Sequence, residues 1–188
     1  MGIGYNGEAG REINLKLTIS FLLPAALMLM LVACGEKSQT LDLLTAIDKE
    51  KSDVVQELLD SGIDPNKDPV PVDIPLEGAY PLHLAVVKGN KEIVQILLDN
   101  GAQIDLEAKN KDEATPLHWA AFFGQKDMVT LLIKAGAPIN ALDGNHATPV
   151  DSVVYVWRLS QDDEGKAKHL MEIITILKAN GGNPADDL

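Results

Sequence analysis

After residue 34 the apolar positions fall into clusters that recur along the chain, each closed by a glycine. The segment TPLHWAAFFGQKDMVTLLIKAGAPIN, Thr115 to Asn140, aligns at an offset of 35 residues with YPLHLAVVKGNKEIVQILLDNGAQID, Tyr80 to Asp105. An offset of 39 lays Leu43, Ala46, Val55, Leu58, Leu59 and Gly62 onto Leu82, Ala85, Val94, Leu97, Leu98 and Gly101, so a degenerate copy comes first. A fourth copy starts at Thr148-Pro149, 33 residues after Thr115-Pro116, and closes with Ile173, Ile174, Leu177 and Gly181, its second half displaced by 12 more residues. Within a copy, a short apolar stretch ends at one glycine and a stretch with apolar residues at helical spacing ends at the next, which predicts two helices. One such pair cannot bury its own apolar face, so neighbouring copies must stack to form a shared core.

These motifs resemble the ankyrin repeat, a 33-residue unit of a turn and two antiparallel helices with a TPLH-type start and an LL-x-x-G-A finish. The resemblance implies an all-α solenoid of about four helix-turn-helix repeats, the first and last atypical, over residues 41–68, 75–107, 110–142 and 143–187. Thr115 is placed to cap a first helix, Pro116 suits a first turn that needs no N–H, and Ala120 and Ala121 let helices approach closely. Gly101 and Gly136 follow second helices where a left-handed backbone is expected. Leu97, Leu98, Leu131 and Leu132 belong to the shared apolar faces. His83 and His118 recur at equivalent positions, and in ankyrin repeats this side chain ties the turn together by hydrogen bonds.

The chain before residue 34 has a different pattern. Residues 17–33, LTISFLLPAALMLMLVA, carry no charge, follow Arg11 and Lys16, and precede the single cysteine. The run is short for a spanning helix, which needs about 20 apolar residues, and it contains Pro24, so a secretory signal is the favoured reading over an uncleaved anchor. Leu31-Val32-Ala33-Cys34 resembles the bacterial lipobox. That resemblance implies cleavage before Cys34, acylation of its sulfur, a short tether over 34–40, and, with Gly35 in second place, an outer-membrane protein facing the periplasm. Two or more acyl chains make such an anchor stable, whereas one alone is marginal.

Charge narrows the range of partners. The chain holds 28 acidic against 16 basic residues, a formal charge of −12, and no basic stripe, which argues against nucleic acid. A hydrophobic share of 46% against 23% charged supports a real core, and one cysteine cannot form an internal disulfide. No G-x-S-x-G, G-x-x-x-x-G-K or H-E-x-x-H motif is present, so no enzyme activity, cofactor or small-molecule substrate is expected. His83 and His118 lack the compact spacing of a metal site, and His146 and His169 are expected to be solvated. Asp162, Asp163 and Glu164 lack the alternating ligands of a calcium loop and read as a solvated charge run.

An ankyrin stack binds through its turn tips and the concave face of its first helices. Phe122 and Phe123 occupy first-helix positions that the repeat framework leaves free; their counterparts are Val87 and Lys88, Asp48 and Lys49, and Tyr155 and Val156. Aromatic enrichment favours an interface for this stripe, with Trp157 and Arg158 beside it, and packing against a neighbouring repeat is the other reading. Two insertions are expected to enlarge the surface: the proline-rich PVPVDIP of 69–75 as a projecting finger, and WRLSQDDEGKAKHL as a longer connection between the last two helices. The resemblance as a whole implies a lipid-anchored protein that binds another protein stoichiometrically, and the acidic surface favours a partner with a basic face. One such role is that of an immunity protein against a secreted antibacterial effector such as a type VI phospholipase; the alternative is a periplasmic scaffold or stress-protection factor.

Overall fold

The computed structural model describes residues 42–71 and 76–188. The apolar segment of 17–33, Cys34, the tether of 34–40 and the centre of the proline-rich insertion lie outside the described residues. The described chain is a row of helix pairs: α1 (residues 42–48) with α2 (Ser52–Asp60), α3 (Pro81–Lys88) with α4 (Lys91–Asp99), α5 (Pro116–Phe122) with α6 (Lys126–Lys134), and α7 (Pro149–Leu159) with α8 (Glu164–Ala179). A 3-10 turn at Ala185–Asp187 follows, and no strand occurs among the described residues.

Local chemistry sets the ends of these helices. α3, α5 and α7 begin with Pro81, Pro116 and Pro149, whose fixed φ suits the first turn and whose missing N–H would have had no partner there. α4 is capped by Asn90, whose side-chain oxygen accepts the Ile93 N–H at 3.1 Å. Gly124 ends the turn after α5 at φ +69, a left-handed conformation that glycine adopts without strain, and thereby fixes where Phe122 and Phe123 emerge. Gly101 and Gly136 stand at φ +87 and +92 after their second helices, as expected.

First helices stack on first helices and second on second: α5 packs against α3 and α7, while α6 packs against α4 and α8. One apolar cluster runs through all four pairs and includes Ile47, Val55, Leu97, Leu117, Leu132 and Leu177, each without solvent exposure. Ala85, Ala120 and Ala121 are also fully buried, where a larger side chain would force the helices apart. Leu98 and Leu131 are half-buried at the edge of this cluster. Every buried side-chain nitrogen and oxygen among the described residues has a partner.

Turn tips join in register. The Gly78 carbonyl accepts the Lys109 N–H at 2.8 Å, and the Asp112 carbonyl accepts the Gly144 N–H at 2.7 Å. At Gly78, φ is +77 and an added Cβ would lie 2.5 Å from the Lys109 backbone, so both conformation and space demand glycine. The base of the proline-rich insertion is closed by Val70 N–H to Ala79 O at 2.8 Å and Gly78 N–H to Val70 O at 2.9 Å.

Histidines fasten each turn to the next. His83 Nδ1 accepts the Tyr80 N–H at 3.3 Å, which leaves the proton on Nε2 to be donated to the Ala114 carbonyl at 3.0 Å. His118 repeats this, accepting from the Thr115 N–H at 3.2 Å and donating to the Ala147 carbonyl at 3.0 Å. In the fourth pair the histidine position holds Asp151, an acceptor whose Oδ2 receives the Thr148 N–H at 3.0 Å and the Ala185 N–H at 2.8 Å.

Two expectations about the last repeat are corrected. Its insertion lengthens the helices rather than their connection: α7 has 11 residues and α8 has 16, against 7 to 9 in the second and third pairs, and only residues 160–163 separate them. Asp163 is no freely solvated member of a charge run; its Oδ1 caps α8 by accepting the Lys166 N–H at 2.9 Å. The extra turns of α8 carry His169, which is exposed yet holds the Gly124 carbonyl at 2.8 Å through Nε2. His146 is exposed in its turn.

Candidate partner-binding groove

The first-helix side of the stack changes character along its length. At the first two repeats Lys88 pairs with Asp48 at 2.7 Å, and the lysine's charge and hydrogen bond hold that carboxyl below its usual range. Val87 is half-buried over a small cluster made by Ala79, Ala108, Ala114 and Trp119. Beyond it the surface becomes aromatic. Phe122 is 45% exposed, Phe123 44% and Tyr155 58%, values high for such side chains in a packed stack.

The two phenylalanine rings end a run of ring contacts, two of them edge-to-face. Tyr80 lies 6.2 Å from His83, His83 meets Trp119 at 5.1 Å with ring planes at 67°, Trp119 lies 6.0 Å from Phe123, and Phe123 meets Phe122 at 5.4 Å and 82°. Edge-to-face pairs at such distances attract through their quadrupoles, by about 0.5 to 1.5 kcal/mol each beyond area burial. The exposed phenylalanines are therefore fixed from beneath, and little side-chain freedom remains to be lost when a partner covers them.

Two hollows flank the ridge of Phe122 and Tyr155. The larger, about 790 Å³, lies between α5, α7 and the turn tips, with Trp119 and Phe123 on its aromatic side and Leu76, Asp112, Asp143 and Asp151 among its other walls. The smaller, about 510 Å³, lies between the α5 end and the extended α7–α8 pair and is lined by Leu159, Leu170, Lys166 and His169. Burial pushes the Asp151 carboxyl upward, but its hydrogen bonds from Thr148 and Ala185 outweigh that and hold it below the usual carboxylate range. Burial keeps His118, on the same wall, neutral against the opposing pull of its Ala147 hydrogen bond and of Asp143.

The sequence-derived site residues divide accordingly. Phe122, Phe123 and Tyr155 come together on the ridge. Val156 and Trp157 are half-buried and pack against the main core, and Val156 also lines the smaller hollow. Arg158 is exposed in the last turn of α7, and Lys88 is engaged with Asp48. Cys34 lies outside the described residues. Trp119, Asp112 and Asp143 were missed by sequence reasoning. The hint of Trp119 in the sequence is that it occupies the position where the preceding repeat has Leu84, an aromatic in place of an aliphatic side chain. Among the described residues no group of three or more His, Cys, Asp or Glu could hold a metal ion, and no helix is long and apolar enough to cross a membrane.

The profile of the family described as ankyrin repeats (3 copies) matches residues 28–143, more than half of the 188-residue chain. The chain belongs to the ankyrin-repeat family. A comparison with curated proteins gives no match. The matched span ends before α7, and the fourth pair is joined to this ankyrin stack by geometry: its Thr148-Pro149 start, its packing of α7 on α5, and the Gly181 turn at its end. Ankyrin repeats mediate binding to other proteins and are in general interaction modules rather than catalysts.

Proposed function

We propose that this ankyrin chain acts by stoichiometric binding of one protein partner, seated on the ridge of Phe122, Phe123 and Tyr155. The observation that carries the reading is exposure without structural need: three large aromatic side chains about half exposed, buttressed by Trp119 and flanked by two hollows. Aromatic residues at the centre of such a patch are the usual anchors of an interface, and truncating one costs about 2 kcal/mol or more of binding. The sequence around Cys34 supports a lipid anchor that holds this surface at the cell envelope, facing the periplasm. The combination of a lipobox with a small ankyrin array supports, by resemblance, a role as an immunity protein that neutralises a secreted antibacterial effector where it meets the membrane.

The test compares two classes of variant. Phe122→Ala and Phe123→Ala should leave the thermal melt nearly unchanged while weakening capture of the envelope protein that crosslinks to the native chain by at least tenfold. Leu97→Ala and Leu132→Ala remove fully buried side chains and should cost about 2 to 5 kcal/mol of stability. Phenylalanine variants that melt early, or that bind as tightly as the parent, would assign the ridge to packing. Cys34→Ala should release the folded chain from the membrane fraction or halt its processing; an unchanged distribution would remove the lipid anchor from this reading.

A further inference from the structure

The larger hollow combines aromatic rings with carboxylates that form no ion pair among the described residues. Three of its thirteen lining residues are aspartates and none is lysine or arginine. Among the described residues the Asp112 side chain receives only a 3.3 Å hydrogen bond from the Asn145 amide, and Asp143 is satisfied by the backbone N–H groups of Asn145 and Ala147 at 2.8 and 2.9 Å. Neither is in an ion pair among the described residues. A purely apolar side chain entering here would strip water from these carboxylates and return nothing, and an acidic one would be repelled. The smaller hollow differs: its apolar lining includes Leu159 and the buried Leu170, and Lys166 and His169 stand among its polar groups, with no carboxylate.

We propose that the larger hollow takes an arginine side chain of the protein partner while an apolar side chain of the same partner segment fills the smaller hollow. This rests on the ridge being the docking face and adds what the partner must present to it. A guanidinium is planar and weakly hydrated, so it can lie against the half-exposed Phe123 ring, beside the buried Trp119, while its N–H donors reach the Asp112 and Asp143 carboxylates. An ammonium is a compact, strongly hydrated charge that cannot stack in this way, so lysine is the poorer occupant. The two hollows share Phe122, Phe123 and Tyr155, and a single short segment lying across the ridge reaches both. The pattern of charge sets its direction, with the basic residue toward the turn tips and the apolar one toward α8.

The probe is a displayed library of randomised dodecapeptides selected on the full-length chain in detergent micelles. Selected peptides are then synthesised with each arginine kept, changed to lysine or changed to glutamine. Trp157→Phe leaves Trp119 as the sole tryptophan, and its fluorescence reads the titration. Selected peptides should carry arginine beside an apolar residue, quench Trp119, and lose at least tenfold in affinity on Arg→Gln, with Arg→Lys in between. The same loss is expected for the Asp112→Asn, Asp143→Asn double variant, which keeps the acceptor oxygens that the turn uses. Enrichment of acidic or purely apolar peptides, or arginine peptides indifferent to the aspartate variant, overturns the arginine site; if those peptides still need Phe122 and Phe123, the docking face stands. Failure to select any peptide whose binding depends on the phenylalanines overturns both.

Discussion

The imidazole of His83 accepts a backbone N–H at one nitrogen and donates its own proton from the other, so a second proton would break the contact with Tyr80. Burial adds to this and brings its pKa down to about 4, against the upward pull of the Ala114 hydrogen bond; His118, less deeply placed, is lowered for the same reason. In the unfolded chain a histidine protonates near its ordinary value of about 6.5. As pH falls below that value the unfolded state binds the proton first, so the stability due to His83 is fully present above about pH 6.5 and is lost progressively down to about 4. The loss approaches about 3 kcal/mol once both states are protonated. The carboxylates held low by neighbours, Asp48, Asp127, Asp151 and Glu172, act in the same direction but only at lower pH. Urea midpoints should therefore already fall between pH 7.5 and pH 5, with m unchanged; a flat profile across that interval would show that the histidine bridges are not maintained in solution.

At the scale of the element, α8 begins with two turns whose side chains are almost all solvent-exposed, and its apolar contacts start at Leu170. Those first turns have no core contact to start them, so the Asp163 cap carries a large part of their local preference. Asp163→Ala should cost about 1 kcal/mol and fray α8 up to His169, visible as faster amide exchange from Lys166 onward. The same feature explains why this element was not legible in the sequence. Repeat helices declare themselves by apolar periodicity, and Lys126–Lys134 or Lys91–Asp99 could be read from it directly. The start of α8 has no such stripe and reads as a connection until its cap is seen. The groove was partly legible for a related reason. Phe122 and Phe123 stood out because the framework does not require them, whereas Trp119 and the two aspartates gain their meaning only from contacts with neighbouring repeats. No periodicity within one repeat records the 5.1 Å approach of His83 to Trp119, or the meeting of Asp112 and Asn145 across two turns.

Across the whole molecule the pairs are held by repeated bridges, and one junction lacks one of them. Asn66 donates to the Gly101 carbonyl at 2.9 Å and accepts the Gln103 N–H at 2.8 Å, clamping the first pair to the second. Asn140 clamps the third to the fourth in the same way, through the Gly181 carbonyl at 3.1 Å and the Asn183 N–H at 2.8 Å. Between the second and third pairs the equivalent residue is Asp105, and the backbone position that should donate to it is Pro138, which has no N–H. An aspartate cannot donate to the Gly136 carbonyl and a proline cannot donate to the aspartate, so both halves of the clamp are missing together. In a stack whose stability is a sum over repeats and their interfaces, this is the junction where an added contact has most to contribute. Asp105→Asn alone restores one hydrogen bond of about 0.5 to 1.5 kcal/mol, and Pro138→Ala alone loses about 0.4 to 1 kcal/mol by freeing the unfolded chain. Together they complete the clamp, so the double variant should exceed the sum of the single changes by about 1 kcal/mol. A denaturation cycle of the four proteins measures that coupling directly. Additive effects within about 0.3 kcal/mol would mean that the clamp at the other two junctions reports the geometry of the turns rather than holding the stack together.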